Sequence, residues 1–176
     1  MTNTRSYSKY PLFLAVRAEC GDNIGFGIES TAKASELTDT DSVREAYGAI
    51  ATKLAAFGIN MDLAPVADIV SEQGNSSLQG RTFGSDGATA APLVNAAVQS
   101  LQEREVSAVL LTFPGEGAVT DGKVSKSLEE MKNSDFLTFQ SAIQNGADCI
   151  MVSNVSAPEI TGDDTPCSLS GTMITD

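Results

Sequence analysis

The chain has no histidine among its 176 residues. The commonest general base in enzymes and the commonest metal ligand in proteins are therefore both missing, and we expect neither a bound metal nor a cofactor. Cysteine is scarce as well, because Cys20, Cys149 and Cys167 are odd in number and far apart in the sequence. A disulfide framework is therefore not expected, and a reducing compartment suits this composition.

Positive charge is also scarce, since 11 lysines and arginines face 23 acidic residues and leave a net charge of -12. A surface of this sign repels phosphate backbones and anionic headgroups, so we expect neither nucleic acid nor a membrane as a partner. No apolar run approaches the length of a membrane span, and the first ten residues are too polar for a signal peptide. We therefore predict a cytoplasmic protein, and secretion stays open if the chain is a fragment of a longer one.

Four short apolar runs recur at nearly even spacing, and an amphipathic helical pattern lies between each pair. The runs predict buried strands at residues 12–16, 59–66, 107–112 and 149–153. Alternating strands and helices are typical of a parallel sheet with right-handed crossovers. We therefore predict an α/β fold, a single domain over residues 1–176 with about four βα units, which is half of a (β/α)8 barrel of the TIM type. Half a barrel leaves two open edge strands, so we also expect a homo-oligomer or marginal stability.

Helical spacing of apolar residues predicts three main helices between these strands. The first should be capped by Asp41 or Ser42, whose side-chain oxygens can accept the first free backbone N–H groups. The second should run from about residue 89 to residue 105, with Pro92 tolerated in its first turn. The third begins with a capping box at residues 127–130 and has a break a few residues later.

The stretch from Ala108 to Gly117 is the centre of this pattern. Its four leading apolar residues predict a strand buried on both faces, and Pro114 with its neighbouring glycines then stops that strand. One carboxylate, that of Glu116, is thereby held on a tight turn at the carboxyl end of a buried strand, where parallel α/β folds bind ligands. An ordinary turn with an exposed glutamate is the alternative, and the spacing alone does not decide between the two.

Six segments, in this order along the chain, resemble a known family. They are Pro-Leu-Phe-Leu-Ala-Val at 11–16, residues 54–68, Gly-Arg-Thr-Phe-Gly-Ser-Asp at 80–86, Phe-Pro-Gly-Glu-Gly at 113–117, Lys-Ser-Leu-Glu-Glu at 126–130 and residues 163–170. Together they resemble the catalytic barrel of glycoside hydrolase family 3, most closely its β-N-acetylhexosaminidase branch. The resemblance implies an O-glycosyl hydrolase that acts on β-linked N-acetylglucosaminides, with a carbohydrate as the bound partner.

The resemblance also implies which residues remain of the sugar site. Glu19, Arg81 and Asp68 match sugar-site positions of the family, and Asn154 stands where the family has an active-site histidine. The residues themselves leave other roles open. Arg81 could instead anchor a loop through an ion pair with Asp86 or Asp68, because a guanidinium suits both tasks. For Asp68 we favour a structural role, in which a carboxylate at a strand end accepts hydrogen bonds from loop amides.

Several catalytic residues of the family are replaced here. The lysine–histidine pair before Phe-Pro-Gly is Leu111–Thr112, and the acid/base histidine is missing, which leaves Glu116 and Asp121 as candidate proton donors. A retaining glycosidase needs a nucleophilic carboxylate about 5–5.5 Å from its proton donor. The family's nucleophile would follow the next strand, beyond Asp176. We therefore expect this chain alone to be inactive, and a non-catalytic sugar-binding or interaction module derived from the barrel is the alternative function.

Overall fold

The computed structural model describes residues 7–21, 24–71 and 74–175 of the chain. In chain order its strands are β1 (Ala15–Val16), β2 (Met61–Asp62), β3 (Ser107–Phe113), β4 (Val119–Thr120), β5 (Lys123–Val124) and β6 (Cys149–Val152). Strands β1, β2, β3 and β6 form one sheet in that order, and every pair in it is parallel. The prediction of four parallel strands with successive crossovers is confirmed. Strands β4 and β5 form a separate antiparallel hairpin, which the sequence analysis did not predict.

Helices connect the parallel strands. The α-helices are α1 (Thr40–Ala56), α2 (Gly87–Gln102), α3 (Leu128–Lys132), α4 (Phe136–Gln144), α5 (Pro158–Thr161) and α6 (Gly171–Ile174). Helix α2 packs against both α1 and α4, so these three helices form one layer beside the sheet. The predicted break in the third helix is the short segment between α3 and α4, and its capping box is present at Ser127 and Glu130. No helix in the described part of the chain is long and apolar enough to cross a membrane.

The main hydrophobic core lies between the sheet and this helix layer. Leu54 of α1, Leu101 of α2 and Leu110 of β3 each have no exposed surface. The opposite face of β3 is also covered, because Val109 and Leu111 pack in a smaller cluster with Val66. Strand β3 is therefore buried on both faces, as predicted from its four consecutive apolar residues.

The first two strands are shorter than predicted. Residues 12–16 were expected to form a buried strand, yet only Ala15–Val16 pair with β2, and Phe13 is 71% exposed. The reason is that β1 lies at the edge of the sheet, where one side of a strand is left without cover. Residues 59–66 contribute only β2, because Pro65 has no backbone N–H to continue the ladder. Val66 returns to the sheet through an isolated parallel bridge to Leu111.

Two helices begin earlier than predicted. Helix α1 is capped by Asp39, whose carboxylate accepts hydrogen bonds from the backbone N–H groups of Asp41 and Ser42 at 3.0 and 2.9 Å. The two residues predicted as caps are therefore donors inside the first turn. Helix α2 is capped by Asp86, so Pro92 lies in the second turn of the helix and not in the first. In both cases an aspartate just upstream offers the capping oxygen to amides two or three residues ahead.

We expect the purified chain to self-associate through its open sheet edge and an apolar groove beside α4. The groove has a volume of about 570 Å³, and its apolar lining consists of Phe113, Phe136, Phe139 and Ile143. Ile143 is 55% exposed, so Ile143→Lys should place a charge in the contact and shift the mass measured by light scattering toward the monomer. Leu169→Lys, at an apolar residue that is 77% exposed outside the groove, is the control. A monodisperse monomer with a reversible melt for the unchanged chain would contradict this prediction.

Candidate functional site

The turn after β3 is packed too closely for side chains at its two glycines. Gly115 has a φ of +133°, and a Cβ atom there would lie 3.0 Å from a carboxylate oxygen of Asp135. A Cβ atom on Gly117 would lie 1.7 Å from the carbonyl oxygen of Ile69. Only glycine fits at either position. The turn therefore holds Glu116 between two fixed points at the carboxyl end of β3.

Asp68 lies under this turn and is only 1% exposed. Its carboxylate accepts hydrogen bonds from the backbone N–H and the hydroxyl of Thr112, at 2.7 and 2.9 Å, and from the backbone N–H of Glu116. The prediction that Asp68 accepts loop amides at a strand end is confirmed. Burial, with a smaller contribution from the Glu116 charge, raises the pKa of Asp68 to about 6 against the opposing effect of these hydrogen bonds.

The Glu116 carboxylate lines a cavity of about 250 Å³ at the carboxyl ends of the strands, called the Glu116 cavity below. Its lining residues are Arg17, Leu63, Val66, Leu78, Arg81, Leu111, Thr112, Glu116 and Met151. The hydroxyl of Ser153 donates a hydrogen bond to Glu116 and accepts one from the backbone N–H of Val155 at 3.2 Å, which orients the carboxylate. Ser153 was not among the predicted site residues, although a polar residue at the end of the fourth predicted strand was the available signal.

Arg81 is paired with Glu19. Its Nε and Nη2 atoms each donate to a different Glu19 oxygen at 2.7 Å, and its Nη1 donates to the Ser77 carbonyl at 3.0 Å. The alternative prediction, an ion pair of Arg81 with Asp86 or Asp68, was wrong about the partner. Asp86 caps α2, and Asp68 accepts the loop amides described above. The Glu19 hydrogen bonds hold the pKa of Arg81 above its ordinary value. A bidentate pair of this kind fixes the orientation of the guanidinium as well as its charge.

A second buried aspartate holds the loop after β1. Asp62 has no exposed surface, and its Oδ1 accepts a hydrogen bond from the Ala18 N–H at 2.8 Å. Its Oδ2 has no hydrogen-bond partner in the described ranges. Burial, together with the neighbouring Glu19 charge, raises the pKa of Asp62 to about 7, although the Ala18 N–H lowers it. Asp62 was not among the predicted site residues, and an acidic residue within an apolar strand was the signal that could have identified it.

Residues 2–176 match the N-terminal domain of glycosyl hydrolase family 3. The chain belongs to this family. The beta-hexosaminidase LpqI of Mycobacterium tuberculosis is 28% identical over 145 residues, which cover 78% of this chain and 37% of that protein. The beta-N-acetylglucosaminidase/beta-glucosidase of Cellulomonas fimi is 28% identical over 172 residues, which cover 90% of this chain and 30% of that protein. The chain thus spans about a third of the length of the curated relatives that it matches.

Solved structures of the family have the same fold. A family 3 beta-N-acetylglucosaminidase from Paenibacillus superposes with a TM-score of 0.84 at 27% identity, covering 94% of this chain and 34% of that one. A family 3 glycosyl hydrolase from Mycobacterium smegmatis superposes with a TM-score of 0.88 at 25% identity, covering 98% of this chain and 55% of that one. The fold is therefore the parallel α/β fold of the family's N-terminal domain, and the predicted partial barrel is consistent with it.

In this family 3 chain, the two residues that replace the lysine–histidine pair belong to the framework of the site. Leu111 is 2% exposed and packs in the smaller hydrophobic cluster. Thr112 is half-buried, and both its N–H and its hydroxyl donate to Asp68. Thr112 therefore helps to hold the turn that carries Glu116, because both residues bond the same Asp68 carboxylate. Leu111 and Thr112 also form part of the cavity wall.

Two predicted site residues lie away from the Glu116 cavity. Asp121 is exposed at the tip of the β4–β5 hairpin, where it has a φ of +51° and Gly122 a φ of +76°. Asp-Gly is the typical sequence of such a two-residue hairpin turn, so this signal could have predicted the hairpin. Asn154 is exposed as well, and its side-chain oxygen accepts a hydrogen bond from the Ser168 hydroxyl. Neither residue lines the cavity.

Within residues 7–21, 24–71 and 74–175, no three Cys, Asp or Glu side chains lie close enough together to hold an ion. The acidic pair near the carboxyl terminus is engaged in other contacts. Asp163 accepts a hydrogen bond from the Thr165 N–H at 2.9 Å, and Asp164 forms an ion pair with Lys123 at 2.7 Å.

We expect the free energy of unfolding to fall as the pH rises through the range from about 4 to 8. Asp62 and Asp68 have pKa values in the folded chain that lie above the value of about 3.9 expected when unfolded. Their contribution to stability is fully present below the unfolded pKa and is lost as the pH rises through about 6 and about 7. For Asp62 the total loss is on the order of 4 kcal/mol.

The variant Asp62→Asn tests this assignment by urea unfolding at a series of pH values. Asparagine keeps an acceptor for the Ala18 N–H but cannot ionise, so its stability should depend less on pH than that of the unchanged chain. Asp148→Asn removes an exposed carboxylate and should keep the original slope. If Asp62→Asn has the same slope as the unchanged chain, Asp62 is not the group that titrates.

Proposed function

We propose that this chain carries part of the sugar site of a glycoside hydrolase that acts on β-linked N-acetylglucosaminides. The observation that supports this proposal is the Glu116 cavity, in which a carboxylate and Arg81 meet at the carboxyl ends of parallel strands. This is the edge of a parallel α/β fold at which ligands bind. The family assignment adds support, because its matched relatives carry the names beta-hexosaminidase and beta-N-acetylglucosaminidase.

Arg81 is the residue proposed to bind the sugar, and Glu19 is the residue that orients the Arg81 guanidinium. Three of the five N–H donors of the guanidinium are used by Glu19 and the Ser77 carbonyl, so two remain for sugar hydroxyls. Asp68 acts indirectly, because it accepts the hydrogen bonds that hold the turn carrying Glu116. Glu116 is the proposed proton donor, because it is half-buried in the cavity wall and oriented by a neighbouring hydroxyl.

The second candidate is a sugar-binding or interaction module that does not catalyse hydrolysis by itself. It is favoured by one observation: Glu116 is the sole acidic residue among the described residues that line the cavity. Two other carboxylates at this edge of the sheet have partners of their own, since Glu19 pairs with Arg81 and Asp68 accepts loop amides. Glycoside hydrolysis needs two carboxyl groups on opposite sides of the bond that breaks. Either way, residues 1–176 are proposed to act as one domain around the core between the sheet and helices α1, α2 and α4.

We expect the purified chain not to hydrolyse a chromogenic N-acetyl-β-glucosaminide at a useful rate. Losing one member of a catalytic set typically costs several orders of magnitude in rate, and here only a candidate proton donor is present. The assay compares the unchanged chain with Glu116→Gln and with Glu129→Gln, an exposed glutamate on α3. Turnover that disappears only in Glu116→Gln would contradict the non-catalytic expectation and identify Glu116 as the acid. Turnover that all three proteins share would come from a contaminating enzyme.

We expect Arg81→Lys to weaken the binding of N-acetylglucosamine by about tenfold or more. A lysine ammonium cannot form the two parallel hydrogen bonds to Glu19 and still present donors to a sugar. Isothermal titration calorimetry measures the affinity, and Arg44→Lys on the exposed side of α1 is the matched control. Equal affinities of Arg81→Lys and the unchanged chain would remove Arg81 from the proposed site.

A further inference from the structure

A second pocket adjoins the Glu116 cavity, and the two share Arg17 and Arg81 in their walls. The second pocket has a volume of about 310 Å³. Among the described residues that line it, three carry a positive charge, Arg17, Lys33 and Arg81, and Glu19 carries the single negative one. Such a concentration of cations is unusual in a chain with 11 basic and 23 acidic residues.

The position of Lys33 is built into the backbone around it. A Cβ atom on Gly80 would lie 3.4 Å from Cδ of Lys33, and one on Gly21 would lie 3.6 Å from its Cγ. The lysine stem therefore packs along two glycines, both of which have a positive φ that other residues rarely adopt. The apolar stem of a lysine commonly lies along a surface in this way while its ammonium group stays in water at the rim.

Hydrogen bonds tie together the three segments that supply the cations, two of them in the β1–α1 loop and one in the β2–α2 loop. The Thr31 N–H donates to the Gly21 carbonyl at 2.9 Å, and the Thr31 hydroxyl accepts from the Gly21 N–H at 2.8 Å. The Ser35 N–H donates to the Gly80 carbonyl at 3.3 Å. The segment that carries Lys33 is thus bonded both to the start of its own loop, next to Arg17, and to the loop that carries Arg81, which reduces the ordering that ligand binding would require.

Among the described residues, the positive charge of the pocket is only partly neutralised. Glu19 is engaged by Arg81 at 2.7 Å, while Arg17 approaches it only to 3.5 Å and is 65% exposed. Lys33 makes no ion pair within the described parts of the chain, because the nearby Glu36 carboxylate accepts from its backbone N–H instead. Burial raises the pKa of the Cys20 thiol to about 11, so this thiol adds no negative charge near neutral pH. The described lining therefore carries a net charge of +2.

We propose that this pocket binds a phosphate group carried by a ligand that also occupies the Glu116 cavity. Guanidinium and ammonium groups that reach the pocket from three separate points of two loops can each bond a different oxygen of a tetrahedral anion. The shared wall places that anion beside the proposed sugar site, so a phosphorylated amino sugar can extend from one pocket into the other. The link to a sugar rests on the proposed function, whereas the affinity for the anion does not.

Isothermal titration calorimetry with N-acetylglucosamine 6-phosphate, N-acetylglucosamine and inorganic phosphate tests the proposal. The sugar phosphate should bind the unchanged chain about tenfold or more tightly than the neutral sugar, since one charge-assisted contact accounts for a factor of this size. Lys33→Gln should remove most of that gain. Lys53→Gln removes the same charge from an exposed position on α1 and should retain the gain.

The outcomes separate this proposal from the proposed function. Equal affinities for the neutral and phosphorylated sugars would overturn the phosphate pocket and leave the sugar site standing. Binding of both phosphate compounds but not of the neutral sugar, with loss in Lys33→Gln, would support the pocket and count against the sugar site. A loss of equal size in Lys33→Gln and Lys53→Gln would overturn the pocket, because it would reflect the overall charge of the chain. Absence of any phosphate binding would overturn it as well.

Discussion

Two buried carboxylates on one segment hold the loops that form the candidate site. Asp62 in β2 accepts the Ala18 N–H of the loop after β1. Asp68 accepts the N–H groups of Thr112, near the end of β3, and of Glu116 in the turn that follows. Residues 62–68 therefore position both the loop after β1 and the turn after β3. Burying a carboxylate is costly, and both residues show that cost as raised pKa values. The arrangement persists because each carboxylate also satisfies backbone donors that would otherwise be buried without partners.

These contacts hold the turn in place at positions where the resemblance implies that family residues have been replaced. Where the family has a lysine–histidine pair, Leu111 fills the smaller cluster and Thr112 bonds Asp68. In the turn itself, Glu116 lies between two glycines at which there is no room for a side chain. The geometry of the turn thus depends on backbone amides and glycines more than on the catalytic side chains. Under the proposed function, such a site can retain sugar affinity after the catalytic groups have changed.

Positive charge is distributed unevenly over this chain. The chain is strongly acidic, yet three cations gather around one pocket because the loops that carry them are bonded to one another. Field strength inside a pocket depends on the nearest charges, since more distant ones are screened by water and salt within about 10 Å. The overall charge therefore argues against large polyanions such as nucleic acid, and it leaves room for a small anion in the pocket. The two conclusions apply to different length scales.

The local pattern of the sequence was sufficient to predict the four parallel strands, the three main helices and the position of Glu116 at a strand end. These features depend on the periodicity of apolar residues and on the backbone limits of proline and glycine, which act over a few neighbours. The pattern was less successful in predicting the length of the edge strand β1, because that length depends on what covers the strand.

Only the tertiary structure decided which side chains meet. Arg81 pairs with Glu19 from a loop 62 positions earlier, and Ser153 reaches Glu116 from the next strand of the sheet. It also separated Asp121 and Asn154 from the cavity, although both follow strands in the sequence as a site residue would. Contacts of this kind depend on the twist of the sheet and on how loops pack over its edge, and neither quantity is written in the spacing of residues. The sequence by itself determined the fold and the edge at which a site would form, while the packing of the loops decided the members of that site.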